Sequence, residues 1–137
     1  GKIRHIGLSN VTLEQLNSAQ KIARIESVQN ECNPSQSEDV RTGLIRSCDQ
    51  QKVAYLPYSP VGGHYGHRSL SKHPVLVKLA KSKNASPYCI ALAWLLAQGD
   101  NVLPIPGASK VASIMDSVKA MDVKLDAADL KQIAALR

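Results

Sequence analysis

Four times along this chain a short apolar run ends in a polar cluster and a helical pattern follows: Ile6-Gly7-Leu8-Ser9-Asn10, Ser27-Val28-Gln29-Asn30, Leu56-Pro57-Tyr58-Ser59-Pro60 and Leu103-Pro104-Ile105-Pro106-Gly107-Ala108-Ser109. Strands separated by helices, with no hairpin turn between them, pair in parallel through right-handed crossovers. In such βα units the carboxyl end of the strand opens onto the face where ligands bind. The apolar residues of each run therefore read as core and the polar residues at its end read as a site. The recurrence predicts an α/β fold of parallel βα units. Periodicity alone leaves two forms of it open, half of a (β/α)8 barrel and a small open sheet.

With 137 residues and 44% hydrophobic content, the chain can bury a core as one domain spanning 1–137. A complete (β/α)8 barrel needs about 250 residues. A strand-like run, Lys2 to Leu8, follows Gly1 directly, with no initiator Met and no leader before it. The expectation is that further strands belong upstream, in an amino-terminal half. No signal-peptide pattern is present and no apolar run approaches the ~20 residues of a membrane span, so a soluble protein without membrane insertion is expected. Cys32, Cys48 and Cys89 are odd in number and widely spaced, without a CxxC pair. They support neither a disulfide framework nor a zinc site, and they fit a reducing cytoplasm or organelle stroma. The net charge is +6, yet the basic residues are scattered and aromatics, at 4%, do not interleave with them. That argues against nucleic acid and for a phosphorylated small molecule.

Between the strands the pattern is helical. Thr12 with Gln15 forms a capping box before Leu13, Leu16, Ala19 and Ala23. Cys32-Asn33-Pro34-Ser35 is a turn before a helix expected from about Ser37, with Val40, Leu44, Ile45 and Cys48 on its apolar side. The stretch Val61 to Lys72 is polar and punctuated by glycine, and is expected to be a mobile loop. Helices are expected from Pro74 to about Lys83, from Ser86 to Gln98 with Pro87 at its first position, after Ser109, and after Asp126. Strands are expected at Ile25–Asn30, at Val53–Tyr58 and at Val102–Ile105. His64 and His67 make a His-x-x-His pair near His73, but no acidic or thiol partner stands beside them, and no metal site is expected. Cys89, beside Trp94 on an apolar helix, reads as a small buried hydrophobe. Asp129, Lys131 and Arg137 read as a solvated face.

Five blocks taken together carry a resemblance: 1–10 (GKIRHIGLSN), 27–34 (SVQNECNP), 56–63 (LPYSPVGG), 86–96 (SPYCIALAWLL) and 103–109 (LPIPGAS). In this order and spacing the chain resembles the aldo-keto reductase family. The resemblance implies strands five to eight of a (β/α)8 barrel. It also implies an enzyme that reduces aldehydes and ketones to alcohols by hydride transfer from NADPH. It places Ser9, Asn10 and Gln29 on the nicotinamide carboxamide, where hydroxyl and amide groups offer donor and acceptor together. It places Tyr58 against the nicotinamide ring, which its flat face would orient. Ser59, Val61 and Gly62 are implied along the pyrophosphate, and Gly107, Ser109 and Lys110 at the adenosine phosphate.

The chain also departs from the family pattern. Where members carry an Arg and then a Glu-Asn pair for the 2′-phosphate and adenine, this chain has Ser113, Asp116 and Ser117. Lys110 is a point charge where a bidentate guanidinium is common, so NADP is expected by family habit and NAD stays open. Cys32 stands where an aromatic is common. The family's catalytic Asp, Tyr, Lys and His have no counterpart here, and Tyr55 and Tyr58 match no position of that tetrad. The expected partners are a small carbonyl substrate, an amino-terminal half-barrel and, through open strand edges, another copy. Without a partner half the expectation is weak cofactor binding and no turnover. The alternative is a non-catalytic half-barrel that binds cofactor or another protein.

Overall fold

Three short strands, β1 (Ile6–Ser9), β2 (Ile25–Gln29) and β3 (Ala54–Tyr55), lie parallel in the order β1-β2-β3. This computed structural model describes residues 1–136; Arg137, expected on a solvated face, lies outside them. β1 begins at Ile6, so the run from Lys2 to His5 is not strand, and Ile6 pairs with Ile25 before a shift that sets Gly7 against Ser27. A Cβ at residue 7 would meet the Ser27 hydroxyl, which would have to turn away to make room. β3 continues irregularly past Tyr55, with Leu56 N–H donating to Val28 O at 2.8 Å and Tyr58 N–H to Asn30 O at 2.9 Å.

The fourth segment, expected as strand Val102–Ile105, forms one parallel bridge, Tyr55 with Val102. Its ladder bonds run from Leu103 N–H to Tyr55 O at 2.8 Å and from Ile105 N–H to Pro57 O at 3.3 Å. Donors alternate sides along a strand. The residues whose N–H would face away from β3 are therefore Pro104 and Pro106, which have none to give. The ladder to β3 itself stops after the Tyr55–Val102 bridge because Pro57 has no N–H to give to Leu103 O, but the segment's place beside β3 is the expected one.

The crossover elements follow local signals closely. α1 (Leu13–Gln20) starts in the capping box: Thr12 Oγ accepts from Gln15 N–H, and Gln15 Oε1 accepts from Thr12 N–H at 2.8 Å. The helix expected from Ser37 is two, α2 (Glu38–Arg41) and α3 (Leu44–Gln50), broken by Gly43 at φ +80°. α5 (Pro74–Ser82) and α6 (Pro87–Leu96) each carry a proline at the start, and Ser86 caps α6 through a 3.0 Å bond from Cys89 N–H. α7 (Val111–Val118) runs into a 3-10 turn, Lys119–Met121. α8 (Ala127–Ala134) starts in a second capping box, between Asp126 and Asp129.

Two expectations fail. Val61–Lys72 is largely a helix, α4 (Gly63–Leu70). Gly62 at φ +92° turns the chain into it, Gly66 N–H bonds Gly62 O at 2.9 Å, and Leu70 inserts into the core. A single buried anchor holds a helix whose composition reads as loop. Asp129 is not solvated: it is 7% exposed and meets Lys83 Nζ at 2.7 Å, joining α8 to α5. Lys131 is exposed, as expected.

The core sits between the sheet and the helices, with Leu16, Val28, Leu44, Tyr55, Leu76, Trp94, Leu95 and Ile133 all at most 1% exposed. Cys89 through Leu95 on α6 are buried without interruption, because α5 and α7 cover the helix from different sides. No helix among the described residues is long and apolar enough to cross a membrane.

Candidate functional site

At the carboxyl ends of the strands the register brings distant residues together. Ser9 closes β1 directly opposite Gln29, which closes β2. Asn10 follows in the left-handed region at φ +54°, its N–H bonded to Gln29 O at 3.0 Å. Its side-chain oxygen accepts from Tyr58 Oη at 2.9 Å, and its amide donates to Ser9 Oγ at 3.3 Å. Ser9 and Asn10 are exposed, and Gln29 and Tyr58 half-buried. Ser9, Asn10 and Tyr58 are thus linked side chain to side chain, and Gln29 joins them through its main-chain carbonyl, at the carboxyl ends of the three strands. Ser59, the next residue, also has positive φ, +48°. Such conformations cost of order 1–3 kcal/mol for a non-glycine residue and persist where surrounding contacts impose them. Asn33 supplies one such contact: 1% exposed, it donates to Ser59 O at 3.1 Å while its own oxygen accepts from Ser35 and Gln36 N–H.

A cleft of about 670 Å³ continues from there, with Ser59 and Val61 on one wall and Gly107 and Ser109 on the other. Gly62 and Lys110 adjoin the cleft as the residues preceding α4 and α7. A Cβ at Gly62 would lie 2.7 Å from the Gly66 carbonyl carbon, so that turn requires glycine. His64 and His67 of α4 line the cleft. The Nδ1 of His67 lies 2.9 Å from Gly63 O and 3.0 Å from His64 O, and since carbonyls only accept, that nitrogen carries the proton. Asp116, bonded by the Ser86 hydroxyl, brings a carboxylate to the cleft alongside Ser113 and Ser117. Hydroxyls, imidazoles and open backbone suit a phosphorylated ligand. Among the described residues no arginine lines the cleft.

The remaining titratable groups have other duties. His73 caps α5, its Nδ1 accepting from Val75 N–H at 3.3 Å, and no group of three metal-capable side chains comes together among the described residues. All three cysteines are buried and free. Burial pushes the Cys32 and Cys48 thiols up to about 12, and raises that of Cys89, so none is a nucleophile. Cys32 packs beside Tyr55, inside the core, and does not form a pocket wall. Tyr55 itself is fully buried, and its hydroxyl donates to Asp39 at 2.5 Å. Burial first, then the thiol and carboxylate around it, raises its pKa strongly.

Sequence reasoning missed Asn33, Asp39 and Tyr55 as supports of the strand ends. Asn33-Pro34-Ser35 carries a legible turn signal. Nothing local marks Asp39 or Tyr55, which are 16 residues apart and meet only in the fold.

The aldo/keto reductase family model matches residues 1–137, all of this chain. The chain belongs to the aldo/keto reductase family. It is 40% identical over 125 residues to pyridoxine 4-dehydrogenase of Escherichia coli, covering 91% of this chain and 42% of that protein. It is 31% identical over 162 residues to an NADP(+) aldo-keto reductase of Schizosaccharomyces pombe, covering 97% of this chain and 48% of that one. A thermostable aldo-keto reductase crystallised with the inhibitor epalrestat superimposes with a TM-score of 0.85 at 32% identity, over 98% of this chain and 49% of its own. A Klebsiella pneumoniae aldo/keto reductase bound to NADP and acetate has the same fold, with a TM-score of 0.83 at 23% identity, over 97% and 48%. The chain therefore spans somewhat under half the length of these relatives.

Proposed function

We propose that this chain is the cofactor-binding portion, strands five to eight, of a (β/α)8 aldo-keto reductase that reduces aldehydes or ketones with NADPH. The observation that carries this reading is the convergence of Ser9, Asn10, Gln29 and Tyr58 at one sheet end, with the Tyr58 hydroxyl bonded to Asn10. Two amides and a hydroxyl recognise a carboxamide by pairing donor to acceptor, and the Tyr58 ring offers a flat face on which a nicotinamide is held. Ser59 and Ser109 would donate to the phosphates, with Val61, Gly62 and Gly107 leaving backbone accessible and Lys110 adding positive charge. NADPH, when bound, supplies the hydride. This chain's residues bind it and fix its orientation. The NADP-bound relatives support NADP as cofactor. Asp116 in the cleft, with no arginine beside it among the described residues, keeps NAD within reach.

Neither Tyr55 nor Tyr58 is placed to give the proton for the product alcohol. A catalytic tyrosine needs a lowered pKa, and Tyr55 has a raised one while giving its proton to Asp39. Tyr58 donates to Asn10. The reading therefore assigns proton transfer to an amino-terminal half and gives the isolated chain weak cofactor binding without turnover. The test is recombination: mixed with an amino-terminal half from a family member, the chain should consume NADPH only when a carbonyl substrate is present. A folded mixture that binds NADPH and never consumes it would contradict the assignment. It would favour a second reading, a non-catalytic binding subunit, whose support is an apolar cleft of about 280 Å³ with Ile114, Val118 and Met121 exposed around it. Three free buried thiols suit a reducing cytoplasm as the working compartment.

A further inference from the structure

The amide of Asn30 is 7% exposed and its partners lie on both sides. Its oxygen accepts from Val11 N–H at 3.0 Å, and its NH2 group donates to Val11 O at 2.8 Å and to Asp39 Oδ2 at 2.8 Å. Its main-chain carbonyl accepts from Tyr58 N–H at 2.9 Å. One residue thus ties the loop carrying Asn10, through the adjacent Val11, to the segment carrying Tyr58. What holds Asn30 is Asp39, whose Oδ2 collects the Asn30 amide and the buried Tyr55 hydroxyl together. One carboxylate oxygen has the lone pairs to take both converging donors, and its negative charge makes both bonds stronger than those to a neutral amide oxygen.

We propose that Asp39 is a positioning residue for the nicotinamide end of the cofactor site, acting through Asn30 on Asn10 and Tyr58. The inference rests on the reading of Asn10 and Tyr58 as nicotinamide contacts given above. Without the carboxylate, one Asn30 amide proton and the Tyr55 hydroxyl lose their buried acceptor. The clamp on Val11 then loosens, and Asn10 is no longer held in its left-handed conformation against Tyr58. Among the described residues no hydrogen bond joins this relay to the adenosine end of the cleft, built from α4, α7 and the Pro106–Ser109 loop, so that end should be left as it was.

The experiment compares two ligands on the intact chain: NADPH, and 2′,5′-ADP, which lacks the nicotinamide. Asp39→Ala should raise the dissociation constant of NADPH about tenfold, the equivalent of one well-placed hydrogen bond, and leave that of 2′,5′-ADP within about twofold. Asp39→Asn, which keeps one acceptor oxygen, should fall between wild type and Asp39→Ala. Amide exchange at Val11 should accelerate in Asp39→Ala while far-UV circular dichroism stays unchanged. If Asp39→Ala does not fold, the same ligand comparison on Asp39→Asn decides. Equal weakening of both ligands, or of neither, overturns the positioning role. A wild-type chain that binds NADPH no more tightly than 2′,5′-ADP overturns the nicotinamide assignment itself, and the relay's purpose with it.

Discussion

Tyr58 contributes in two separable ways, through a ring face and through a hydroxyl bonded to Asn10 at 2.9 Å. Tyr58→Phe keeps the face and gives up a bond of about 0.5–1.5 kcal/mol, so NADPH binding should weaken only a few-fold. Tyr58→Ala removes both and should weaken it about tenfold or more, as fluorescence titration would read. A Phe variant as poor as Ala would put the interaction in the hydroxyl alone. Lys83 and Asp129 raise a question of pH at the same scale. Their 2.7 Å contact, chiefly through its hydrogen bond, lowers the Asp129 carboxyl and raises the Lys83 ammonium. For Asp129 the stabilisation is complete above its unfolded value of about 3.9 and is lost as pH falls through the lower folded one. For Lys83 it is complete below about 10.4 and is lost as pH rises through the higher folded one. Lys83→Met should therefore lower the melting temperature at neutral pH and reduce its fall at both extremes. A melting profile parallel to wild type across pH 2–11, on the scale set by those two ordinary values, would show the pair to be idle.

Among the elements, α6 shows how much a start signal and an apolar run decide. Ser86, Pro87 and the run to Leu96 specify a capped, buried helix, and the structure has it from Pro87 to Leu96. Ser86→Ala removes the acceptor for Cys89 N–H and should cost about 1 kcal/mol, read as a shift in denaturant midpoint. Because the Ser86 hydroxyl also donates to Asp116 in the cleft, Ser86→Thr should restore stability where Ala does not. The Thr12–Gln15 capping box was legible for the same reason, since cap and third residue lie within one turn, whereas at α8 only the Asp126 cap was read and its partner Asp129 was placed on a solvated face. α4 was not. Its residues Gly63, His64, Gly66 and Ser69 disfavour a helix taken alone, and what forms it is Leu70 buried against the core and the turn at Gly62. The break at Gly43 was likewise invisible in the apolar spacing of Val40, Leu44, Ile45 and Cys48, which continues across it.

For the molecule as a whole, the unsatisfied surface is more informative than the buried one. Among the described residues β1 pairs on one side only, and the 101–105 segment pairs only with β3. Pro104 and Pro106 deny donors to any strand approaching the second edge, a blunting that works against ladder formation there. Beside it, Leu103, Ile105, Ile114, Met115, Val118 and Met121 stay 44–65% exposed. Tyr58 and Val61 are half-buried and are not part of this exposed band. Exposure of this kind drives association through side chains. Sedimentation of the isolated chain should show concentration-dependent self-association, and Ile114→Lys with Val118→Lys should reduce it. A monomer at all concentrations would mean that this apolar band does not drive association.

The sequence by itself determined the parallel βα order, the Thr12–Gln15 capping box, the buried Trp94 helix and the positions of the polar strand ends, because each depends on residues within one or two turns of one another. Membership in the family was legible in five short blocks for a related reason, since their order and spacing are themselves sequence. Only tertiary structure decided that Asp39 would meet Tyr55 and Asn30, that Asp129 would be buried against Lys83, and that α4 would be helix. Those outcomes depend on contacts between elements, and the energy that settles them comes from burial and from pairing groups whose partners the local chain does not contain.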